Sequence, residues 1–269
     1  MLTHSSLKSV LMLGVAASLL AACGDNTAAP KAEFDAASLA ADALVVDTHI
    51  DVPYRVQKAY VDVTKATEGG DFDYPRAVAG GLNAPFMSIY TPADLGVGEQ
   101  AFEHANAAIK VVEDIVASAP DKFVIAASTA DVRSAKEKGL IALPLGMENG
   151  SPIGTDLANL NYFYGKGVRY ITLAHSKANQ ISDSSYDPER PNDGLTDFGH
   201  AVVARMNSLG IMVDVSHISD KAFYDVIAVT KVPVIASHSS ARHFTPGFER
   251  NMDDEMIRKL AENGGVIMI

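Results

Sequence analysis

Seven apolar, strand-like runs alternate with helical patterns from residue 44 to the end of the chain. The runs cover residues 44–48, 82–90, 140–147, 168–174, 210–216, 232–237 and 264–269. Strands separated by helices pair in parallel, so this order predicts an α/β fold with a parallel sheet. Seven such units in series favour a TIM-like (β/α)8 barrel over an open sheet.

Four stretches between these runs have helical patterns, at 100–117, 197–209, 220–230 and 253–262. The clearest is 197–209, where Thr196 can cap the first turn and Gly210 can end the last. Ser219 is a candidate cap for the next helix. The apolar stripe of the 197–209 helix consists of Phe198, Val202, Met206 and Leu209.

The chain stops within its seventh predicted strand, whereas a (β/α)8 barrel closes with eight. An unpaired edge of a parallel sheet should be unstable in water. The sequence therefore predicts a barrel domain over 41–269 that is truncated after the seventh strand, with the C-terminal strand and helix missing.

The first 22 residues have the pattern of a secretory leader. Lys8 gives a weakly basic start, and the apolar stretch 10–22 has the length of a signal-peptide core but is short for a membrane span. Leu-Ala-Ala precedes Cys23, which resembles the lipobox of bacterial lipoproteins. We expect a lipoprotein signal peptide over 1–22, a lipid on Cys23 and a tether over 23–40. The alternative is an ordinary leader with a chance cysteine.

The leader predicts a location in the bacterial cell envelope, lipid-anchored on the periplasmic or outer face. Since the chain has one cysteine, it can form no internal disulfide. Its formal charge of -11, without a basic cluster, argues against nucleic-acid binding, which requires grouped Lys and Arg. Apolar residues make up 48% of the chain, which is enough for a sizeable core.

Four of the apolar runs stop at side chains that commonly bind metals. The first run is followed by His49 and Asp51, and the third by Glu148. The fifth is followed by His217 and the sixth by His238. Carboxyl ends of parallel strands meet at one rim of a barrel, and imidazole and carboxylate groups are typical zinc ligands. This pattern predicts a hydrolytic metal centre.

Each of these motifs also has a structural interpretation. Asp51 can belong to a strand-to-loop turn, and Glu148 can be a solvated loop carboxylate. His175 ends another such run and faces the same rim, but it can equally be a structural histidine. Arg250 suits a two-pronged contact with a carboxylate, or it is a surface charge. The combination is more specific than any single motif.

Taken together, the motifs resemble the membrane dipeptidase (renal dipeptidase) family, zinc peptidase family M19. The first two matches read VDTHID at 46–51 and GMENG at 146–150. The others lie in order at 167–176, 194–199, 213–217, 237–241 and 250–251. The resemblance runs from about residue 44 to the end of the chain.

The resemblance implies a zinc-dependent dipeptidase that cleaves dipeptides, including those with a C-terminal D-residue, through hydroxide held between two Zn²⁺ ions. His49 and Asp51 would bind one zinc, His217 and His238 the other, and Glu148 would bridge them. His175 would contact the scissile carbonyl as it becomes tetrahedral. Arg250 would hold the terminal carboxylate of the substrate. The family's further Asp, at the end of an eighth strand, lies beyond residue 269, which puts the activity of this chain in question.

The expected partners are a dipeptide substrate and the lipid anchor, with a homodimer as an open expectation. Three other interpretations stay open. An amidohydrolase-like metal hydrolase would typically carry His-x-His on its first strand, where this chain has Asp51. A non-catalytic binding lipoprotein would share the leader, and a catalytically dead barrel would agree with a missing eighth strand.

Overall fold

The computed structural model describes residues 35–269. The predicted signal peptide 1–22, the lipidation site Cys23 and most of the predicted tether 23–40 lie outside the described residues. Residues 38–269 form one compact unit. Among the helices of residues 35–269, none combines the length and apolar character needed to cross a bilayer.

Seven parallel strands form the main sheet, in chain order from one edge to the other. They are β1 (Val45–Ile50), β2 (Leu82–Tyr90), β5 (Leu145–Glu148), β6 (Val168–Thr172), β7 (Met212–Asp214), β8 (Ile235–Ala236) and β9 (Val266–Ile267). The sheet is curled, so that Thr48 of β1 donates a hydrogen bond to the carbonyl of Ser237, the residue after β8 (2.5 Å). The predicted α/β fold with seven parallel strands is confirmed.

The remaining two strands, β3 (Phe123–Ile125) and β4 (Ile141–Leu143), form a separate parallel pair. The sequence predicted one strand over 140–147, and that prediction was wrong in detail. Pro144 divides the run, because proline has no amide hydrogen to continue a ladder. Residues before Pro144 pair with β3, and residues after it pair with β2 and β6.

Nine helices connect the strands of the described residues. They are α1 (Ala36–Asp42), α2 (Val52–Lys58), α3 (Tyr74–Ala79), α4 (Glu99–Ser118), α5 (Thr129–Glu137), α6 (Ala158–Gly165), α7 (Asp197–Leu209), α8 (Asp220–Val229) and α9 (Asp254–Glu262). The four predicted helices correspond to α4, α7, α8 and α9. The short helices α2, α3, α5 and α6 were missed, since their few turns carry little periodic signal.

The predicted capping residues act as expected. Thr196 accepts from the backbone amide of Gly199 at the start of α7, and Gly210 ends that helix with a left-handed backbone (φ 79°). Ser219 accepts from the amide of Ala222 at the start of α8. These caps satisfy amides that the helix itself leaves free. The apolar faces of the helices pack on the sheet, and the candidate site lies at the carboxyl edge of that sheet.

Candidate metal centre

Four imidazole nitrogens converge on the carboxylate of Glu148, the last residue of β5. His217 Nε2 lies 3.0 Å and His238 Nε2 3.2 Å from Glu148 Oε1. His175 Nε2 lies 3.5 Å from the same oxygen, and His49 Nε2 lies 3.4 Å from Oε2. Glu148 is buried, with 4% of its surface exposed. The structure therefore brings residues from five separate strand ends together.

Asp51 lies at the margin of this cluster. Its Oδ1 is 3.5 Å from His49 Nε2, and its side chain is 58% exposed. Although Asp51 occupies the N-cap position of α2, its side chain makes no capping hydrogen bond. The carboxylate is thus free to serve as a ligand together with His49.

Strand register sets the level of the cluster along the sheet. Tyr90 of β2 is paired with Glu148 of β5, which is paired with Thr172 of β6, which in turn is paired with Asp214 of β7. Parallel pairing therefore places four polar residues in one row at the carboxyl edge. His175 and His217 follow this row by three residues each and so rise above it.

Two residues of the rim have left-handed backbones that turn the chain away from the sheet. His217 has φ 70° and Asn149, next to Glu148, has φ 80°. Asn tolerates this region because its short side chain bonds locally. Here Asn149 donates to the carbonyl of Thr91 (2.9 Å) and accepts from the amide of Ser151 (3.1 Å). These bonds fix the turn that presents Glu148.

A buried tyrosine orients His49. His49 Nδ1 lies 2.9 Å from the hydroxyl of Tyr170, and that hydroxyl donates to the carbonyl of Thr48 (3.0 Å). Since the hydroxyl hydrogen is used on Thr48, the hydroxyl oxygen accepts the Nδ1 hydrogen of His49. In the neutral form of His49, the lone pair therefore sits on Nε2, which faces Glu148.

A second buried chain orients His238 in the same way. Ser237 Oγ donates to Asp214 Oδ2 (2.6 Å) and accepts from His238 Nδ1 (2.8 Å). Asp214 is fully buried and also accepts from Thr172 Oγ1 (2.5 Å) and from the amide of Ser237 (2.9 Å). A carboxylate, a hydroxyl and an imidazole thus point the Nε2 lone pair of His238 at Glu148.

These tautomers provide the test of whether a cation fits. With both Nδ1 atoms bonded outward, the lone pairs of His49 and His238 face a carboxylate oxygen at 3.4 and 3.2 Å. Lone pairs at that distance repel one another unless a proton or a metal ion attracts both. Imidazole nitrogen and carboxylate oxygen are the donors that zinc prefers, and an outward Nδ1 bond is typical of metal-binding histidines. The residues therefore fit a metal.

The electrostatics of the cluster point the same way. Burial works against the charged form of Glu148, but hydrogen bonds from His217, His238 and His49 hold its pKa well below the usual range. Burial alone would lower the pKa of His49, yet its hydrogen bonds to Asp51 and Glu148 raise that pKa to about 10. Burial lowers the pKa of His217 to about 4, despite its hydrogen bond to Glu148. These pKa shifts favour an ionised carboxylate at Glu148 and a positive charge at His49, carried by a proton or a metal ion.

An aromatic wall borders the open cavity of about 280 Å³ in front of the cluster. The Tyr90 ring lies 4.9 Å from the His175 ring and 4.9 Å from the Tyr54 ring. His175 Nδ1 is buried and has no hydrogen-bond partner among residues 35–269. Its Nε2 lies 3.5 Å from Glu148 Oε1, and His175 lines the cavity, where this nitrogen can donate to an oxygen of a bound molecule.

Arg250 reaches the cluster from the loop after β8. Its guanidinium donates to Ser239 Oγ (2.9 Å) and to the carbonyl of His238 (2.5 Å), and it lies 3.0 Å from His217 Nε2. A cation beside the ligand histidines can bind an anionic part of a substrate at a fixed distance from them. The contact of Arg250 with a substrate carboxylate stays a prediction.

All seven predicted site residues therefore lie at one rim, while their individual roles stay predictions. The nearest groupings of ligand atoms differ from the predicted pairs. One group is His49, Glu148 and His238; the other is Glu148, His175 and His217. The rings of His49 and His238 stack with centroids 3.8 Å apart.

Sequence reasoning missed the residues that hold these ligands, namely Tyr170, Asp214 and Ser237. The available signal was a polar side chain inside an otherwise apolar strand run. A buried polar group needs a partner, so such a residue indicates a fixed contact.

Comparison with known proteins agrees with this geometry. The family model described as "Membrane dipeptidase (Peptidase family M19)" matches residues 34–269. Dipeptidase aclJ of Aspergillus oryzae is 36% identical over 207 residues, which cover 74% of this chain and 49% of that protein. The chain thus spans about half the length of the first curated relative it matches.

Two solved structures share the fold. The probable dipeptidase PvdM from Pseudomonas aeruginosa is 26% identical with a TM-score of 0.77, covering 86% of this chain and 61% of that one. A metallopeptidase from Rhodobacter sphaeroides, solved with a phosphinate mimic of the dipeptide L-Ala-D-Ala, is 28% identical with a TM-score of 0.75. That match covers 83% of this chain and 72% of the other.

Proposed function

The chain belongs to the membrane dipeptidase family, peptidase family M19, and from that premise we propose that it is a metallodipeptidase. Its reaction is hydrolysis of the peptide bond of a dipeptide. One observation carries the proposal: four imidazole Nε2 atoms lie within 3.5 Å of the carboxylate oxygens of a single buried glutamate, Glu148. Structural ion pairs have no reason to gather four imidazoles on one carboxylate.

We propose that the metal is zinc and that the chain holds two ions. Glu148 has two oxygens that face different histidines, which suits a ligand shared by two cations. His49 and Asp51 would hold one ion, and His217 and His238 the other. Zinc in such a site supplies Lewis acidity and lowers the pKa of water from 15.7 towards about 7.

The protein's own side chains bind and orient the substrate. Arg250 offers a guanidinium to the terminal carboxylate, which would favour dipeptides over longer chains. His175, with Nε2 at the cavity rim, donates a hydrogen bond to the carbonyl oxygen as negative charge develops there. Tyr90 and Tyr54 exclude water from one side of the cavity and pack against the substrate.

We propose that the substrates include dipeptides with a C-terminal D-residue. The phosphinate mimic of L-Ala-D-Ala bound by the related Rhodobacter sphaeroides metallopeptidase supports this extension. In the cell envelope, such dipeptides would come from peptidoglycan.

The envelope location and the lipid anchor on Cys23 are proposals that rest on the leader sequence. Incorporation of labelled fatty acid into the wild-type chain, and its loss in Cys23→Ala, tests the anchor. The homodimer stays a prediction, which light scattering of the detergent-solubilised protein checks.

The test of function combines metal analysis with a substrate panel. We expect about two zinc ions per chain by mass spectrometry, and cleavage of L,L and L,D dipeptides. We expect no cleavage of the matching N-acetylated tetrapeptides. Glu148→Ala should lose metal and activity together, whereas Glu103→Ala, on the outer helix α4, should lose neither. A Glu148→Ala chain that keeps both would refute the proposed centre.

A further inference from the structure

Arg242 binds the backbone on both sides of Arg250. Its Nε donates to the carbonyl of Asn251 (2.8 Å), and its Nη2 donates to the carbonyl of Glu249 (3.2 Å). One planar guanidinium therefore brackets the residue whose side chain reaches the candidate metal centre. The planar fork fixes both carbonyls relative to each other, which a flexible ammonium group cannot do.

Asp220 in turn fixes Arg242. Arg242 Nη1 donates to Asp220 Oδ2 (2.7 Å), and Nη2 donates to Oδ1 (2.6 Å). This two-pronged pair leaves the Arg242 side chain 17% exposed. Asp220 is the first residue of α8, whose start is capped by Ser219. Asp220 therefore attaches the Arg242 guanidinium to a packed helix and not to another part of its own loop.

The same loop has a second attachment at Glu249. Arg190, from the loop after β6, donates to both Glu249 oxygens (2.8 and 2.5 Å). This contact holds the Glu249 side chain, while Arg242 holds the carbonyls on either side of Arg250. Of the two arginines, only Arg242 contacts the backbone on both sides of Arg250 among the described residues.

The direction of the Arg250 side chain matters because its guanidinium lies beside the candidate metal ligands and would also bind the carboxylate of the substrate. It donates to the carbonyl of His238 and lies 3.0 Å from His217 Nε2, so it is adjacent to the ligands. A shift of about 1 Å in a positioning group can reduce the rate by about 10²-fold, because the carboxylate and the reacting bond must be in place together.

We propose that Arg242, oriented by Asp220, is the positioning residue that aims Arg250 at the terminal carboxylate of the substrate. The inference rests on the proposed function and adds to it a determinant of specificity that does not itself touch the substrate. Loss of Arg242 should raise KM for a free dipeptide and leave metal binding intact.

The test compares a dipeptide with its C-terminal amide, using the zinc-loaded full chain. For the wild type we expect a preference for the free carboxylate of about 10-fold or more, the size of a charged hydrogen bond. Arg242→Gln should lose most of this preference through KM, as we also expect of Arg250→Gln, and Arg242→Gln should keep its zinc content. Arg242→Lys should resemble Arg242→Gln, because lysine keeps the charge but not the fork.

Asp220→Asn and Arg258→Gln complete the set. Asp220→Asn keeps one acceptor for Arg242 and should lose part of the preference. Arg258 forms a comparable pair with Glu255 on the exposed face of α9, so Arg258→Gln should keep the full preference. Thermal melting of each variant shows whether it is folded, and Asp220→Asn serves as the milder test if Arg242→Gln does not fold.

The outcomes separate the inference from the function on which it rests. A wild-type chain that cleaves neither compound contradicts the proposed dipeptidase activity, and the inference with it. A wild type that cleaves both equally contradicts the role of Arg250. A wild type that prefers the carboxylate, together with folded Arg242 and Asp220 variants that keep that preference, overturns the inference alone.

Discussion

The ring of Tyr170 fills the space beside Gly146 that any side chain at that position would need. A Cβ on Gly146 would lie 2.0 Å from Tyr170 Cζ and 2.5 Å from the hydroxyl oxygen. The tyrosine hydroxyl is the partner of His49 Nδ1. Burial raises the pKa of Tyr170 well above its usual range, so the hydroxyl keeps its hydrogen and donates to Thr48. Gly146 on β5 thus leaves room for the ring whose hydroxyl holds His49 on β1.

Gly146→Ala should therefore damage both stability and metal binding. The methyl group must displace a fully buried ring, and overpacking of this kind costs about 1–3 kcal/mol. We expect a lower melting temperature and reduced zinc content, measured by calorimetry and mass spectrometry. Gly165→Ala is the matched control, because a Cβ there meets nothing within 4 Å. Equal zinc content and melting temperature in Gly146→Ala and wild type would contradict this account.

Ser237→Ala should weaken metal binding without unfolding the chain. The hydroxyl accepts from His238 Nδ1 and donates to Asp214, so its removal frees the imidazole to rotate and to change tautomer. Loss of such an outer partner typically costs 10–100-fold in metal affinity. Competition with a fluorescent zinc chelator measures the change. Ser208→Ala, which removes an exposed hydroxyl on α7, should have no effect. Unchanged zinc affinity in Ser237→Ala would show that the hydrogen bonds from Asp214 through Ser237 to His238 do not support metal binding.

The fold was predictable to the extent that its signals are local. Apolar runs of strand length, and Thr196 and Gly210 at the ends of α7, are visible within a few residues. The division at Pro144 was missed because an apolar run does not reveal which sheet each half joins. That choice depends on β3, whose three residues have no recognisable period.

The grouping of the candidate ligands was predictable because strand ends of a parallel sheet meet by topology alone. The residues that orient them were not, because their contacts join distant parts of the chain. Tyr170 and His49 are 121 positions apart, and Ser237 and Asp214 are 23 apart. Arg242 was missed for another reason: it acts on backbone carbonyls, which carry no side-chain signature in a sequence.

Chelation should lower the thermal stability of the protein, and zinc should restore it. Without a metal ion, only protons on the histidines can offset the charge of the buried Glu148, which faces Nε2 of His49 and of His238 at 3.4 and 3.2 Å. A ligand present at about 1,000 times its Kd stabilises by about 4 kcal/mol, which corresponds to about 10 °C for a chain of this size. Differential scanning fluorimetry after EDTA treatment, with ZnCl₂ or MgCl₂ added back, measures this. Melting that EDTA does not change, or that magnesium restores equally well, would contradict a zinc centre.

The ion pair between Glu249 and Arg190 should contribute a pH-dependent part of the stability. The hydrogen bonds from Arg190 hold the pKa of Glu249 below its usual range. A carboxyl group with a lowered folded-state pKa stabilises the fold above its unfolded pKa of about 4.3, and that contribution is lost as the pH falls through the folded value. Glu249→Gln keeps an acceptor for the amide of Asp220 but removes the charge.

The measurement is urea denaturation of wild type and Glu249→Gln between pH 3 and pH 7. We expect the wild type to be more stable at pH 6–7 and the difference to shrink below about pH 4, since both proteins then carry a neutral side chain at position 249. Subtracting the two curves cancels the titration of groups that both proteins share. Glu255→Gln, which breaks an exposed pair on α9, should show a smaller difference because solvent screens that pair. A stability difference that is constant down to pH 3 would mean that Glu249 acts through its shape and not its charge.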